Sequence, residues 1–281
     1  MKIAAVVVTY NRINWLKKNI DALLSQTRVP DEIIVVDNAS TDGTYDFLKN
    51  LSKVKFKRLE ENIGGAGGFA CGLKCAIDDG ADWVWMMDDD ALPYKNALEA
   101  LECAILKNQN SNVGVFLSKL TDKDNAKSSN KTSSALTGTF VGFAVKKEVV
   151  EKIGFPDSEF FIYADDYDYS MRIKKAGYKM VRAHSSLIEH KDWIRQKRIF
   201  RFPFSKPNVP PWKTYYLFRN PILATKNFKI MNLGVKLYLS IDRYIWSYVS
   251  PASKPYIFRG FKDGLHDVKG KKIDPKKPLL S

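Results

Sequence analysis

The chain has 281 residues, enough to bury a sizeable core, and its three cysteines fit neither a disulfide framework nor a zinc site. Its net charge of +14 is unevenly distributed, since residues 1–190 carry 25 Lys and Arg against 26 Asp and Glu, whereas residues 191–281 carry 20 against 5. No apolar run approaches the roughly 20 residues that cross a bilayer, so we expect no membrane-spanning segment.

The N-terminal part alternates strand and helix patterns. A β-branched run at residues 3–8 predicts a buried strand, and apolar residues at helical spacing follow it up to Pro30. Further strands are predicted at residues 33–36 and 54–59, with an amphipathic helix between them. Because strand–helix–strand units make right-handed crossovers, this order predicts an α/β fold with a parallel sheet.

Glycines cluster before the next predicted helix, which we expect to end at Gly80. They are Gly64, Gly65, Gly67 and Gly68. Glycines at a helix entrance let backbone N–H groups approach a ligand closely, and a helix N-terminus favours anions. The spacing matches neither a dinucleotide-binding fingerprint nor a P-loop. The alternative is a turn that packs closely against a strand.

The strand pattern at residues 83–87 ends in three adjacent carboxylates, Asp88, Asp89 and Asp90. In an open α/β sheet, the ligand crevice lies at the carboxyl ends of the strands. Adjacent carboxylates repel one another unless a cation lies among them, and Mg²⁺ and Mn²⁺ prefer carboxylate oxygens. The alternative is a solvated acidic turn that caps a helix beginning near Pro93.

The middle of the chain predicts a helix from Pro93 to residue 106, strands at residues 113–117 and 139–145, and a mobile surface loop over residues 122–134. Two short strands are then predicted at residues 178–182 and 186–190.

A second acidic site opens a helix that we expect to end at Gly177. Asp165 and Asp166 follow an apolar run at residues 160–164. A carboxylate at a buried rim can act as a general base, and the alternative is a purely stabilising role in the first helical turn. His190 ends the last predicted strand and is a candidate metal ligand, although a lone histidine is more often a packed side chain.

Beyond residue 190, basic and aromatic residues interleave. Helices are predicted at residues 212–228, interrupted by Pro221, and at residues 233–249, followed by Pro251 and Pro255. A disordered polybasic tail ends the chain with Lys271, Lys272, Lys276 and Lys277. Basic residues beside aromatic ones suit a helix in a membrane interface. The aromatic residues considered for this role are Trp212, Tyr215, Tyr216, Trp246 and Tyr248. The alternatives are nucleic-acid contacts and an ordinary helical subdomain.

The order of these segments resembles the family 2 inverting glycosyltransferases with the A-type fold. The resemblance is carried by the Val-Val-Val-Thr-Tyr-Asn-Arg opening, Val35-Val36-Asp37-Asn38-Ala39-Ser40, the aspartate-rich strand end, the Asp165-Asp166 helix, and Tyr215-Tyr216 with Arg219-Asn220. It implies one α/β nucleotide-diphospho-sugar transferase domain with a mainly parallel sheet. We place this domain at residues 1–205, followed by a helical, basic extension at residues 206–281. The glycine cluster is similar to that of a galactofuranosyltransferase-like and rhamnosyltransferase-like branch.

The resemblance implies a role for each matching residue. Asp88 and Asp90 would hold Mn²⁺ or Mg²⁺ on the donor diphosphate, with His190 as a further ligand. Asp166 would be the catalytic base, and Asp165 would help to position acceptor hydroxyls. The nucleotide sugar would be bound by Thr9, Tyr10, Arg12, Asp37, Gly64, Gly65, Gly67 and Asp89.

We therefore expect metal-dependent, inverting transfer of a sugar onto a glycan acceptor, lipid-linked, in cell-surface polysaccharide synthesis. The expected donor is UDP-galactofuranose, and the alternative is a dTDP-rhamnose-type donor. A nucleotide-sugar-binding protein without turnover is a second class, but it would not need a base at Asp166. A nucleotidyltransferase would carry a basic Gly-rich loop near its start, where this chain offers only Arg12.

The location follows from the same patterns. No signal-peptide pattern opens the chain, so we expect it to stay in the reducing cytoplasm. The basic extension would hold it at the anionic inner face of the plasma membrane, and nucleic acid is not an expected partner. The sequence does not indicate an oligomeric state.

Overall fold

One mixed sheet organises the computed structural model, which describes residues 1–109, 111–122, 126–190 and 209–273. In these ranges its strands are β1 Ile3–Thr9, β2 Glu32–Asp37, β3 Lys55–Arg58, β4 Trp83–Asp88, β5 Leu92–Pro93, β6 Val113–Thr121, β7 Thr132–Ser134, β8 Phe143–Lys146 and β9 Lys179–Glu189. The strand order is β3-β2-β1-β4-β8-β6-β9-β5, and β7 also pairs with β9.

Helices cover both faces of the sheet and follow it in the chain. They are α1 Ile13–Leu24, α2 Thr44–Lys49, α3 Gly64–Asp78, α4 Ala97–Lys107, α5 Lys147–Ile153, α6 Asp165–Lys175, α7 Pro211–Thr225, α8 Lys229–Val249 and α9 Lys254–Leu265. None of these described helices combines the length and the apolar composition needed to cross a membrane.

The N-terminal half is parallel, as the crossovers predicted. β1 pairs with β2 on one side and with β4 on the other, so that Val7 lies beside both Val35 and Met87. Successive residues of β1 enter two apolar clusters on opposite faces, one packed on α1 and the other on α3. Burial on both faces explains the continuous apolar run, and each fully buried Val or Ile side chain contributes about 1.5–3 kcal/mol.

The second half of the sheet contains the departures from prediction. β8 is antiparallel to β4 and β6, whereas β6 and β9 are parallel. The two short strands expected over residues 178–190 are one strand, β9, whose pairing with β6 shifts register between Ser118 and Lys119. The loop expected over residues 122–134 contains β7, whose exposed polar residues suit the edge position that they occupy.

Proline misled the prediction in three places. Pro93 does not begin a helix but lies in the edge strand β5, opposite Ile188, where its missing N–H is tolerated. Pro221 does not interrupt α7, which continues to Thr225. Pro255, expected to follow the last helix, lies in the first turn of α9, the position where proline is favoured.

The C-terminal helices pack on one another around Phe218, Ile222, Leu239, Ile257 and Phe261. The tail expected to be disordered from Lys271 is ordered through Ile273, which is 1% exposed and joins the cluster of Tyr215 and Tyr216. The predicted domain boundary at residue 205 and residues 274–281 lie outside the described residues.

Candidate active site

An acidic and histidine cluster lies at the carboxyl end of β4. One ligand atom from each of Asp88, Asp90 and His190 lies within 4.8 Å of the others. Asp88 ends β4, and β5 begins just after the three aspartates. His190 follows β9, and the pairing of β9 with β5 places it beside the aspartates. His190 is 8% exposed, and its Nε2 lies 3.4 Å from Asp90 Oδ1. The three side chains predicted as metal ligands therefore come together.

The loop after β1 is tied to this cluster. Arg12 donates to Asp90 Oδ2 at 2.8 Å and to Asp89 Oδ1 at 3.1 Å. The Thr9 hydroxyl donates to Asp89 Oδ2 at 2.7 Å, and both of these residues are buried. The carboxylate of Asp89 therefore connects the ends of β1 and β4.

Negative charge is concentrated at the end of β4. Burial, together with repulsion from Asp90 and Asp89, raises the pKa of Asp88 to about 7. Burial raises the pKa of Asp89 to about 6, although Arg12 and Thr9 oppose it. At Asp90, the effect of burial is outweighed by the hydrogen bond and the charge of His190 and by Arg12, so its pKa is lowered.

These residues fit a divalent cation. Two carboxylates and an imidazole are ligands that Mn²⁺ accepts, and carboxylates are the usual protein ligands of Mg²⁺. A cation held by Asp88 and Asp90 would offset their mutual repulsion and would favour the ionised form of Asp88, whose pKa is raised first by burial and then by that repulsion.

The second acidic site faces the same cleft. Asp165 is 8% exposed at the start of α6, and Asp166 is half-buried beside it. Burial, then the charges of Asp166 and Asp88, raises the pKa of Asp165 well above its usual range. Burial raises the pKa of Asp166 to about 6, against the opposing effect of backbone N–H groups, one of which donates from Tyr167 at 2.7 Å.

The segment that leads into α6 has an unusual backbone. Phe161, Tyr163 and Ala164 all have positive φ, at 67°, 65° and 60°. Residues other than glycine rarely adopt positive φ, so contacts with the surrounding structure must stabilise this segment. Asn220 of α7 supplies them, because its amide donates to the carbonyls of Phe160, Ile162 and Tyr163 at 3.0, 2.6 and 2.8 Å.

Arg219 is fully buried and reinforces this contact. Its guanidinium donates to the carbonyl of Phe160 at 3.0 Å and lies over the rings of Tyr215 and Tyr216. The conspicuous Tyr-Tyr and Arg-Asn pairs of α7 therefore support the backbone that places Asp165 and Asp166. The sequence showed the motif but not the segment that it supports.

The glycine cluster serves packing more than the sequence suggested. The glycines lie inside the first turns of α3 rather than before it. Gly64 has φ +80°, and a Cβ there would lie 2.0 Å from the carbonyl oxygen of Phe161. A Cβ on Gly67 or Gly68 would meet the side chains of Ile63 or Val8. Gly65 alone of the three predicted glycines lines the cleft, and its Cβ position is open.

A cleft of about 410 Å³ joins the two acidic sites. Its charged lining is Arg12, Asp88, Asp90, Asp165, Asp166, His190 and Lys213. Lys213 of α7 was missed, because nothing local in the sequence places it beside Arg12. Burial, and then the charge of Arg12, lowers the pKa of Lys213. Two cations beside the carboxylate cluster suit a ligand that carries a diphosphate.

Two more predicted residues lie at neighbouring strand ends. Tyr10 is 40% exposed on the loop after β1. Asp37 ends β2 and is fully buried; its Oδ1 accepts from the Ser40 N–H at 2.9 Å, and its Oδ2 lies 3.8 Å from Arg58 Nε. Among the described residues, Asp37 Oδ2 has no hydrogen-bond partner.

The part of the chain that carries these sites matches a known protein family. Residues 4–168, which span β1 to the start of α6 and both acidic sites, match the profile described as Glycosyl transferase family 2. The chain belongs to this family. The family and its α/β fold with a mostly parallel central sheet, both predicted from the sequence, are confirmed.

Individual relatives point the same way. The galactofuranosyltransferase GlfT1 of Mycolicibacterium smegmatis is 30% identical over 199 residues, which cover 62% of this chain and 66% of the relative. The chain thus spans slightly less than two thirds of that relative's length. The dTDP-rhamnosyl transferase RfbF of Shigella flexneri is 26% identical over 266 residues, covering 88% of this chain and 86% of the relative.

A solved structure shares the fold. It is the mannosyltransferase PcManGT from Pyrobaculum calidifontis, in complex with GDP-Man and Mn²⁺. The two chains superpose with a TM-score of 0.54 at 19% identity, over 95% of this chain and 87% of the other.

Proposed function

We propose that the protein is a metal-dependent, inverting glycosyltransferase that uses a nucleotide-diphospho-sugar. The observation that carries this proposal is that the Asp88, Asp90 and His190 cluster and the Asp165–Asp166 pair line one cleft. Family membership supports the reaction class, and the Mn²⁺ of the mannosyltransferase structure supports the metal.

The residues suggest a single displacement. Asp88, Asp90 and His190 would hold the cation, which when bound neutralises charge on the diphosphate leaving group. Arg12 and Lys213 bind the same phosphates. Asp166 takes the proton of the acceptor hydroxyl, whose oxygen attacks the anomeric carbon from the face opposite the diphosphate. The electron pair of the broken C–O bond leaves with the diphosphate, so the configuration inverts.

The proposed donor is UDP-galactofuranose, with a dTDP-rhamnose-type donor as the second candidate. The galactofuranosyltransferase relative supports the first, and the rhamnosyl transferase relative, which covers more of this chain, supports the second. The glycines contribute less to this choice than the sequence suggested, because a Cβ on Gly64 would clash with the Phe161 backbone and one on Gly67 would crowd the Ile63 side chain.

An activity panel tests the proposal. The protein is incubated with UDP-galactofuranose, UDP-galactopyranose and dTDP-rhamnose, a lipid-linked saccharide and Mn²⁺, and release of nucleoside diphosphate is measured. We expect release from UDP-galactofuranose. Release from dTDP-rhamnose alone would show that the second candidate is the donor. No release from any nucleotide sugar would refute the transferase assignment.

We also propose that α8 lies on an anionic membrane that carries the acceptor. Large apolar side chains recur every three or four residues on its solvent side, and they form what we call the α8 face. Its members are Ile230, Leu233, Leu237, Ile241, Tyr244 and Tyr248, each at least 58% exposed. They extend along about 27 Å of helix.

Charge favours a membrane over another apolar partner. Lys229 and Lys236, two turns apart, lie along one side of the α8 face, and residues 191–281 carry 20 basic against 5 acidic residues. An apolar stripe bordered by lysines suits the boundary between headgroups and acyl chains. The structure changes which aromatic residues can take part, because Tyr215 and Tyr216 are fully buried whereas Tyr248 is 89% exposed.

A further inference from the structure

A second cleft, of about 390 Å³, adjoins the first at the proposed base. Both clefts are lined by Asp166 and by Leu120, Thr139 and Val141. The second one also contains Lys119, Arg182 and His184, and we call it the basic cleft. None of the metal-site residues lines it.

The register shift between β6 and β9 places the basic side chains of this cleft. Ser118 of β6 pairs with Ala183 of β9, but Lys119 pairs with Leu187, so β9 has three additional residues at this point. Such irregularities re-aim side chains. His184 is the first of the additional residues, and Arg182 lies two positions before it, on the same side of the strand.

The positive charges of this cleft are close together and poorly compensated. Burial, and then the charges of Lys119 and Arg182, lowers the pKa of His184, whose Nε2 lies 2.8 Å from the Ser133 hydroxyl. Lys119 Nζ donates to a backbone carbonyl, that of Lys127. Asp166 is the only carboxylate among the described residues that line this cleft.

We propose that the basic cleft binds the acceptor and selects acceptors that carry a phosphate group near the reactive sugar. This inference rests on the proposed transferase function. The acceptor hydroxyl must reach Asp166, which both clefts share. A concave site with an arginine and a lysine recognises phosphate through charge-assisted hydrogen bonds. The phosphate can belong to a diphosphate bridge to a lipid or to the glycan itself.

The test compares three acceptors with the same disaccharide. One is a neutral octyl glycoside, one is an octyl diphosphate ester, and one is an octyl glycoside with a phosphomonoester on the sugar. We expect kcat/KM to be at least about tenfold higher for one charged acceptor than for the neutral one. The preferred charged acceptor identifies the source of the phosphate, and equal values for all three overturn the inference.

The variant Arg182→Gln removes the guanidinium. For the preferred acceptor, it should raise KM by about 10- to 100-fold while kcat and donor affinity stay unchanged, and Arg182→Lys should recover part of the loss. Lys179→Gln, an exposed lysine on the same strand outside the cleft, is the matched control. An equal loss for the neutral acceptor would show a structural role and overturn the inference.

Binding separates this inference from the proposed function. Calorimetry with octyl diphosphate, in the absence of metal, does not need turnover. Binding that weakens in Arg182→Gln but not in Lys179→Gln supports the basic cleft even if no donor is turned over. Binding that is absent, or unaffected by Arg182→Gln, overturns it even if the protein is an active transferase.

Discussion

Asp166 has the surroundings of a base that works near neutral pH. Burial raises its pKa to about 6, so the carboxylate is ionised at pH 7 yet more basic than an exposed aspartate. Because the base must be unprotonated, kcat/KM should fall about tenfold for each pH unit below 6. A pH–rate profile, with donor binding measured at each pH, checks this. A profile that stays flat down to pH 5 would remove Asp166 from the role.

Substitution tests the same residue directly. Asp166→Asn keeps the shape but cannot accept the proton, so turnover should fall by about 10²–10⁴-fold while donor affinity persists. The matched control is Asp168→Asn, because Asp168 lies in the same helical turn but pairs with Arg172 at 2.9 Å. Lost donor affinity with high residual turnover would mean that Asp166 only stabilises the start of α6.

The metal ligands make a separate prediction. A chelator should abolish transfer, and Mn²⁺ or Mg²⁺ should restore it. His190→Ala removes one ligand and leaves both carboxylates, so the Mn²⁺ affinity measured by electron paramagnetic resonance should fall by at least about tenfold. His266→Ala, an exposed histidine at the end of α9, is the control. Full activity of the chelated protein would contradict the assignment.

The residues of the site differ in how far the sequence could place them. Asp88, Asp89 and Asp90 follow directly from a buried strand, so a local pattern located them at the sheet edge. Their union with His190 depends on the pairing of β9 with β5, about a hundred residues apart, which no local pattern encodes. The family resemblance implied His190 as a ligand, but not the strand pairing that brings it there. Lys213 had neither a local pattern nor a resemblance to reveal it.

At the scale of elements, α8 carries the next prediction. The double variant Leu237→Glu with Ile241→Glu should abolish flotation with anionic vesicles, because each side chain of this size contributes about 1.5–3 kcal/mol when buried. Leu136→Glu is the control, since Leu136 is 72% exposed but lies on a loop distant in sequence from α8.

Two results would count against the membrane. Unchanged flotation of the double variant would show that the α8 face makes no lipid contact. Concentration-dependent dimers that the double variant abolishes, without any vesicle binding, would show that a second copy of the chain covers this face instead.

The elements also show where sequence patterns were sufficient. Strands β1, β2 and β4 were predicted closely, because burial on both faces leaves a continuous apolar run. β7 was hidden, because an exposed edge strand of Thr and Ser has the composition of a loop. α9 was not predicted, because Pro251 and Pro255 suit the end of one helix as well as the first turn of the next.

The whole molecule has its positive charge at one end of the sequence. If residues 191–281 face anionic lipid, binding should fall steeply as NaCl rises from about 50 mM to about 500 mM, because salt screens exposed charges. Sedimentation with phosphatidylserine vesicles measures this, and phosphatidylcholine vesicles are the control. Equal binding to both lipids at every salt concentration would rule out the electrostatic contribution.

Asn220 has a consequence at this largest scale. Its amide donates to the carbonyls of Phe160, Ile162 and Tyr163 in the segment that leads to Asp165. Asn220 lies on α7, and α7 is linked to α8 through the hydrogen bond from Asn232 to the Ile222 carbonyl at 2.8 Å. The helix proposed to contact lipid and the proposed base are therefore connected through α7. On our proposal, the protein fixes the distance between the bilayer and the point at which a sugar is added. The length of the lipid-linked acceptor would then decide which of its sugar units receives the new sugar.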